Sequence, residues 1–230
     1  MKLLTKKFLV LYFSLVSGAY IGAQDANVRI SWDYNTTFEQ KSVMVANKGY
    51  TETEFFYPRI KKLKDGSLLM VFMNNVVGFD IFIRKSYDNG KTWSDATMVR
   101  QRYSAPSTAT QQDKIIFSTP DFIELSDGKI LLAYQWRYQK GYNDLVNTNQ
   151  NCGIEIMIST DHGKTFSAPK KVYTGRCWEP SFLELPSGEL QMYITDSNEV
   201  ANNLSQPCVT LLRSFEKGKT PNLSNRVSST

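Results

Sequence analysis

Histidine is almost missing from this chain: of 230 residues, only His162 is one. That excludes histidine-based nucleophile triads. Cysteine is also scarce, at Cys152, Cys177 and Cys208, and no Cys/His spacing suits a metal site. An odd count leaves at least one thiol unpaired. A Cys152–Cys177 bridge and buried free thiols both remain open. No glycine-rich phosphate loop is present, so neither a metal nor a cofactor is expected. No dense basic run follows the first residues. The formal charge of +5 falls to near +2 once Lys2, Lys6 and Lys7 are set aside. Lys61-Lys62-Lys64 reads as a solvated strand edge, and nothing argues for nucleic acid. No apolar stretch is long enough to cross a bilayer.

The first residues carry a basic head followed by the apolar run Phe8–Val16, with small residues up to Ala23-Gln24. The run is too short to span a membrane and has the order of a secretory signal peptide. Residues 1–23 are therefore expected to be a leader, and the mature chain to be secreted or periplasmic. Residues 24–220 are expected to form one partial domain, and residues 221–230 a frayed tail.

One short pattern recurs three times. Ser86-Tyr-Asp88-Asn-Gly90-Lys-Thr92-Trp93 is the first copy and Ser159-Thr-Asp161-His-Gly163-Lys-Thr165-Phe166 the second. Ser214-Phe-Glu216-Lys-Gly218-Lys-Thr220-Pro221 is a worn third. The Asp carboxylate can cap backbone N–H groups of its own turn. The Gly supplies a positive φ. The Thr and the aromatic residue then open an outgoing strand. Asp88 and Asp161 are accordingly assigned to structure, and His162 to a solvated turn.

A longer unit surrounds the pattern. The segments beginning at Pro58, Pro120 and Pro180 align, each with a Leu five residues on and a Gly eight residues on. Each unit reads as strand, tight turn, apolar strand, further strand, turn and exit strand. The strands of the first unit are expected near Arg59–Leu63, Leu68–Met73 and Ile81–Ser86. Four short antiparallel strands repeated in this way make an all-β propeller. Three blades are present, where propellers close with roughly four to eight.

Chemistry in a propeller gathers where blade ends converge. Arg59 follows Pro58, Asp121 follows Pro120 and Glu179 precedes Pro180, all at the start of an innermost strand. Paired carboxylates equip a site for glycoside hydrolysis, and an Arg offers a fork for a carboxylate or hydroxyls. Trp136 and Arg137 at the end of Ile130–Trp136, Trp178 beside Glu179, and Asp196 are further candidates for binding a sugar.

These residues resemble the sialidase superfamily. The S-x-D-x-G-x-T-W turns look like its Asp-box repeats. Phe56-Tyr-Pro-Arg59-Ile resembles its arginine-bearing opening motif, with Pro-Arg-Ile in place of Arg-Ile-Pro. Trp178-Glu179-Pro180-Ser181 resembles the segment of its catalytic glutamate. The resemblance implies a six-bladed sialidase-like propeller of which about three blades are present, and an exo-acting hydrolase that releases terminal sugars, sialic acid foremost. In such enzymes an Asp is the general acid, a Glu activates a Tyr nucleophile and three Arg clamp the carboxylate. Arg59 would be the first Arg, Glu179 the glutamate and Asp121 the acid. Tyr-Pro-Arg and Trp-Glu-Pro also resemble exo-arabinanase propellers. A non-catalytic carbohydrate-binding propeller is the alternative. Either way the expected partner is a glycan. With the later blades lacking, the 230-residue chain alone is expected to be inactive.

Overall fold

A computed structural model describes residues 41–74, 79–144, 146–197, 207–214 and 227–228. The expected leader, the third turn beyond Ser214 and most of the tail lie outside the described residues.

Three antiparallel sheets follow one another along the chain. The first contains β3 (Phe56–Lys62), β4 (Leu68–Met73), β5 (Ile81–Ser86) and β6 (Thr97–Arg100), in that order. The second contains β8 (Asp113–Glu124), β9 (Ile130–Tyr138), β10 (Cys152–Ser159) and β11 (Lys170–Thr174), with β7 (Tyr103–Ala105) added beside β8. The third contains β12 (Cys177–Glu184), β13 (Leu190–Asp196), β14 (Cys208–Ser214) and the short β15 (Val227–Ser228). Val227 and Ser228, in the segment expected to fray, thus pair with Leu211 and Thr210. Each sheet is the blade that the repeat predicts.

Two strand pieces escape the repeat. A hairpin of β1 (Val43–Val45) and β2 (Tyr50–Glu52) precedes the first blade. Val43 and Val45 pack with Phe72, Phe82, Ala96 and Met98 on that blade's outer face. β7 exists because β8 runs twelve residues and leaves its first turn of backbone without a partner on one side.

The blades stack through their apolar faces. Leu69, Val71, Ile81 and Ile83 of the first blade meet Phe117, Phe122, Leu132, Tyr134 and Trp136 of the second. Ala133 and Ile154 of the second meet Met192, Ile194 and Leu212 of the third. Alternation along β9 explains this: Leu132, Tyr134 and Trp136 face one neighbour, Leu131 and Ala133 the other. At the opposite end of the inner strands, Glu124 accepts the Lys64 N–H at 2.6 Å and Glu184 accepts the Ser126 N–H at 2.7 Å. Each carboxylate therefore fastens its blade to the inner turn of the preceding one.

The two described repeat turns are superposable in their bonding. Asp88 Oδ1 accepts the Thr92 N–H at 2.8 Å, and Oδ2 accepts the Thr92 hydroxyl at 2.6 Å. Asp161 repeats this with Thr165 at 2.9 and 2.6 Å. Ser86 and Ser159 each accept a glycine N–H, at 2.8 Å, and donate to the Asp. His162 is exposed with φ of 58° before Gly163 at 80°, the left-handed pair a two-residue turn needs. Hydroxyl and N–H donors hold the Asp88 carboxyl down at about 2, and Asp161 lower still.

All three cysteines are thiols. Burial pushes Cys152 up to about 11 and raises Cys177 well above its ordinary range.

Candidate functional site

The first strand of every blade breaks register at the aligned proline. The shifts fall between Phe56 and Arg59, Ser118 and Asp121, and Trp178 and Ser181. In each bulge the residue before proline has a positive φ: 56° at Tyr57, 47° at Thr119 and 59° at Glu179. None of the three is glycine. A pre-proline residue is already driven from helical backbone, so each bulge stores on the order of 1–3 kcal/mol.

Glu179 joins the other two residues. The Tyr57 hydroxyl donates to Glu179 Oε1 in a short hydrogen bond. The Glu179 N–H donates to Thr119 Oγ1 at 3.2 Å, and the Thr195 hydroxyl lies 3.5 Å from Glu179 Oε2. The Arg59 guanidinium stands 5.0 Å from the Tyr57 ring centre. One residue from each blade thus builds a small polar cluster, with the exposed Glu179 carboxylate at its middle. The hydrogen bond to Glu179, followed by burial, raises the Tyr57 hydroxyl above its ordinary range. At neutral pH Tyr57 is a donor.

Asp121 lies apart from this cluster. It is 3% exposed, forms a 2.8 Å ion pair with Lys61 through Oδ1 and accepts the Phe182 N–H through Oδ2 at 3.3 Å. Both oxygens are engaged between blades, which leaves a general-acid assignment without an available carboxyl. Trp136 is 2% exposed within the core, with Lys171 Nζ 3.8 Å from its ring centre, so it offers no face to a sugar. Asp196 is 1% exposed and accepts the Tyr173 and Thr210 hydroxyls at 2.6 and 2.9 Å. It too is structural. Trp178 is half-buried on β12, opposite Thr195. Arg137 is half-buried, with its guanidinium 5.4 Å from the Phe79 ring centre and 4.7 Å from that of Tyr142.

Tyr57 and Thr119 were not singled out from sequence, although a signal was there. Both precede the aligned prolines, as Glu179 does. Reading Arg59 and Asp121 from the position after proline mixed two columns of the repeat.

A concavity of about 650 Å³ lies elsewhere. Ser104, Pro106, Gln112, Lys114 and Lys140 line it, and it shares no residue with the Glu179 cluster. Among the described residues, no group of three or more His, Cys, Asp or Glu side chains could hold a metal ion. Among the same residues, no helix is long and apolar enough to cross a membrane.

No family profile and no curated protein matches the sequence. Solved structures do match. A variant of the NanB sialidase of Streptococcus pneumoniae aligns with a TM-score of 0.57 and 13% identity, over 87% of this chain and 48% of that one. The Trypanosoma rangeli sialidase bound to sialic acid gives 0.55 and 13%, over 80% and 33%. A Dyadobacter fermentans protein of unknown function gives 0.52 and 18%, over 79% and 56%. The fold is that of a sialidase-like propeller. The chain spans between about a third and a little over half of the length of these structures.

Proposed function

We propose that this chain carries the opening blades of an exported, exo-acting glycoside hydrolase of sialidase type, with the repeat turns as its Asp boxes. Glu179 is the proton acceptor, Tyr57 the hydroxyl it holds, and Arg59 the cation beside them. The observation that carries the reading is the Tyr57–Glu179 hydrogen bond between two strained bulges of different blades. Strain of that kind persists where surrounding structure over-determines it, and functional sites are where it collects. A tyrosine hydroxyl on a carboxylate is the pairing of an activated nucleophile, and Arg59 suits an acidic sugar.

The test is hydrolysis of sialosides by the full-length protein that contains these residues. Glu179→Gln is expected to lower kcat by roughly 10²–10⁴, the range for a proton-transfer group, while the melting temperature holds. Unchanged kcat would remove Glu179 from the chemistry.

A second reading, a glycan-binding propeller without turnover, is favoured by one observation: Asp121 is bound to Lys61 and to the Phe182 N–H. Under that reading Glu179→Gln weakens glycan binding, and the wild-type protein cleaves no sialoside or arabino-oligosaccharide.

A further inference from the structure

Two of the three thiols stand together at the join between the second and third blades. Cys152 opens β10 and Cys177 opens β12, and both are fully buried. The Gly175 N–H donates to the Cys152 carbonyl at 3.0 Å, and the Cys152 thiol donates to the Gly175 carbonyl at 3.1 Å. Gly175 has a φ of 143°, which glycine adopts at little cost. From there the chain leaves the second blade, and the Cys177 N–H hydrogen-bonds to the Cys152 sulfur.

The third thiol is out of reach of Cys177. Cys177 pairs with Asp196, and Asp196 pairs with Cys208 on its other side. Cys177 and Cys208 are therefore two strands apart, about 9–10 Å at the usual strand spacing. A disulfide needs Cα atoms within about 7 Å of each other. Cys152 meets that demand where Cys208 does not. A sulfur that accepts the Cys177 N–H is within one residue's reach of the Cys177 side chain, because N and Cβ are bonded to the same Cα. A negative charge on Cys152 also disfavours one on Cys177, as expected of close neighbours.

A bond at this join would fasten the strand that carries the candidate site. Cys177 lies two residues before Glu179. Its carbonyl accepts a hydrogen bond from the Gln135 side chain on β9, and Gln135 accepts the Ser118 hydroxyl at 2.6 Å. Ser118 adjoins Thr119, whose hydroxyl oxygen receives the Glu179 N–H. The loop closed by Cys152 and Cys177 is about 25 residues long and holds β10, the Asp161 turn and β11.

We propose that Cys152 and Cys177 form a disulfide between blades, which clamps the strand bearing Glu179 to the second blade. The bond forms during folding, by exchange with an oxidised small-molecule or protein disulfide. One cysteine thiolate attacks that disulfide and releases one of its sulfurs as a thiol. The other cysteine attacks the mixed disulfide and releases the second. The cysteine pair loses two protons and two electrons, and the oxidant takes them up as two thiols. Burial raises both thiols in the folded chain and disfavours thiolate, so exchange belongs to the stage before the blades close. An oxidising compartment rests on the exported reading given above; the pairing rests on geometry alone.

The test is to refold the full chain in a buffer of reduced and oxidised glutathione, block free thiols by alkylation and map the peptides by mass spectrometry. A Cys152–Cys177 linked pair and a single alkylated thiol, Cys208, are expected. The bridged chain should melt roughly 5–10 °C above the reduced one, the shift for a loop of this length. Cys177→Ser should melt alike in oxidising and reducing buffer. Three unbridged cysteines overturn the proposal, as does a bridge that includes Cys208. So does a bridged chain that melts no higher than the reduced one. The peptide map is made on the wild type, so the outcome does not hang on a variant that folds. Neither readout passes through hydrolysis, and the buffer supplies the oxidant whichever compartment the chain occupies. Failure of the glycosidase or export reading is thus separate from failure of this pairing.

Discussion

At the residue scale, the decisive position is the one before each aligned proline. Tyr57, Thr119 and Glu179 share a left-handed backbone that only glycine adopts cheaply. Thr119 is the most demanding, because a β-branched side chain crowds that conformation. Thr119→Gly is expected to leave stability within about 1 kcal/mol, as strain relief offsets a lost hydrogen bond. On the proposed hydrolase reading its effect should appear in turnover, since Glu179 loses the partner of its N–H. Thermal unfolding and kcat on one preparation check both parts. Tyr57→Phe removes a single hydroxyl and, on the same reading, should lower kcat without altering the fold. The prolines themselves made this column legible from sequence. The positive φ was not legible, because nothing in Tyr, Thr or Glu announces it, and two of the three residues went unnoticed. Trp136 and Asp196 suggest sugar contact by residue type, but both lie buried where blades pack or pair, which residue type alone does not reveal.

At the scale of the element, the repeat turns behave as small acid-sensitive clasps. Asp88 is held at about 2, against roughly 3.9 in an unfolded chain. A depressed carboxyl contributes stability that is complete above pH about 4 and is lost as pH falls through about 2. Asp88→Asn should therefore lower the neutral-pH melting temperature and flatten its fall between those values. Circular dichroism melts across that range would show it, and a preserved melting temperature with lost turnover would contradict the structural role. Strands β10 and β11 depend on another local feature. A Cβ at Gly153 would stand 2.0 Å from the Tyr173 carbonyl oxygen and 2.8 Å from Trp136 Nε1. Gly153→Ala should cost on the order of 1–3 kcal/mol or more, read as a fall in denaturation midpoint. Strand limits such as Leu68–Met73 and Ile81–Ser86 were readable because apolar runs and turn residues bracket them. β7 and the β1–β2 hairpin were not, since they answer to exposed edges and faces of other strands.

At the scale of the molecule, the blades are held by apolar faces and by the paired clips of Glu124 and Glu184. Either residue changed to Ala should lower stability by roughly 1 kcal/mol in a denaturant titration, and the two effects should add, because the clips share no residue. The clips also have a direction. Each blade reaches backward and takes an N–H from the turn before it, at Lys64 and then at Ser126. The matching position in the third blade is Pro186, which has no N–H to give. The ladder of backward clips is thus written with a terminator in it. Whatever rests against the third blade cannot take this backbone N–H, and a swap of blade order that moved this turn inward would lose a fastening.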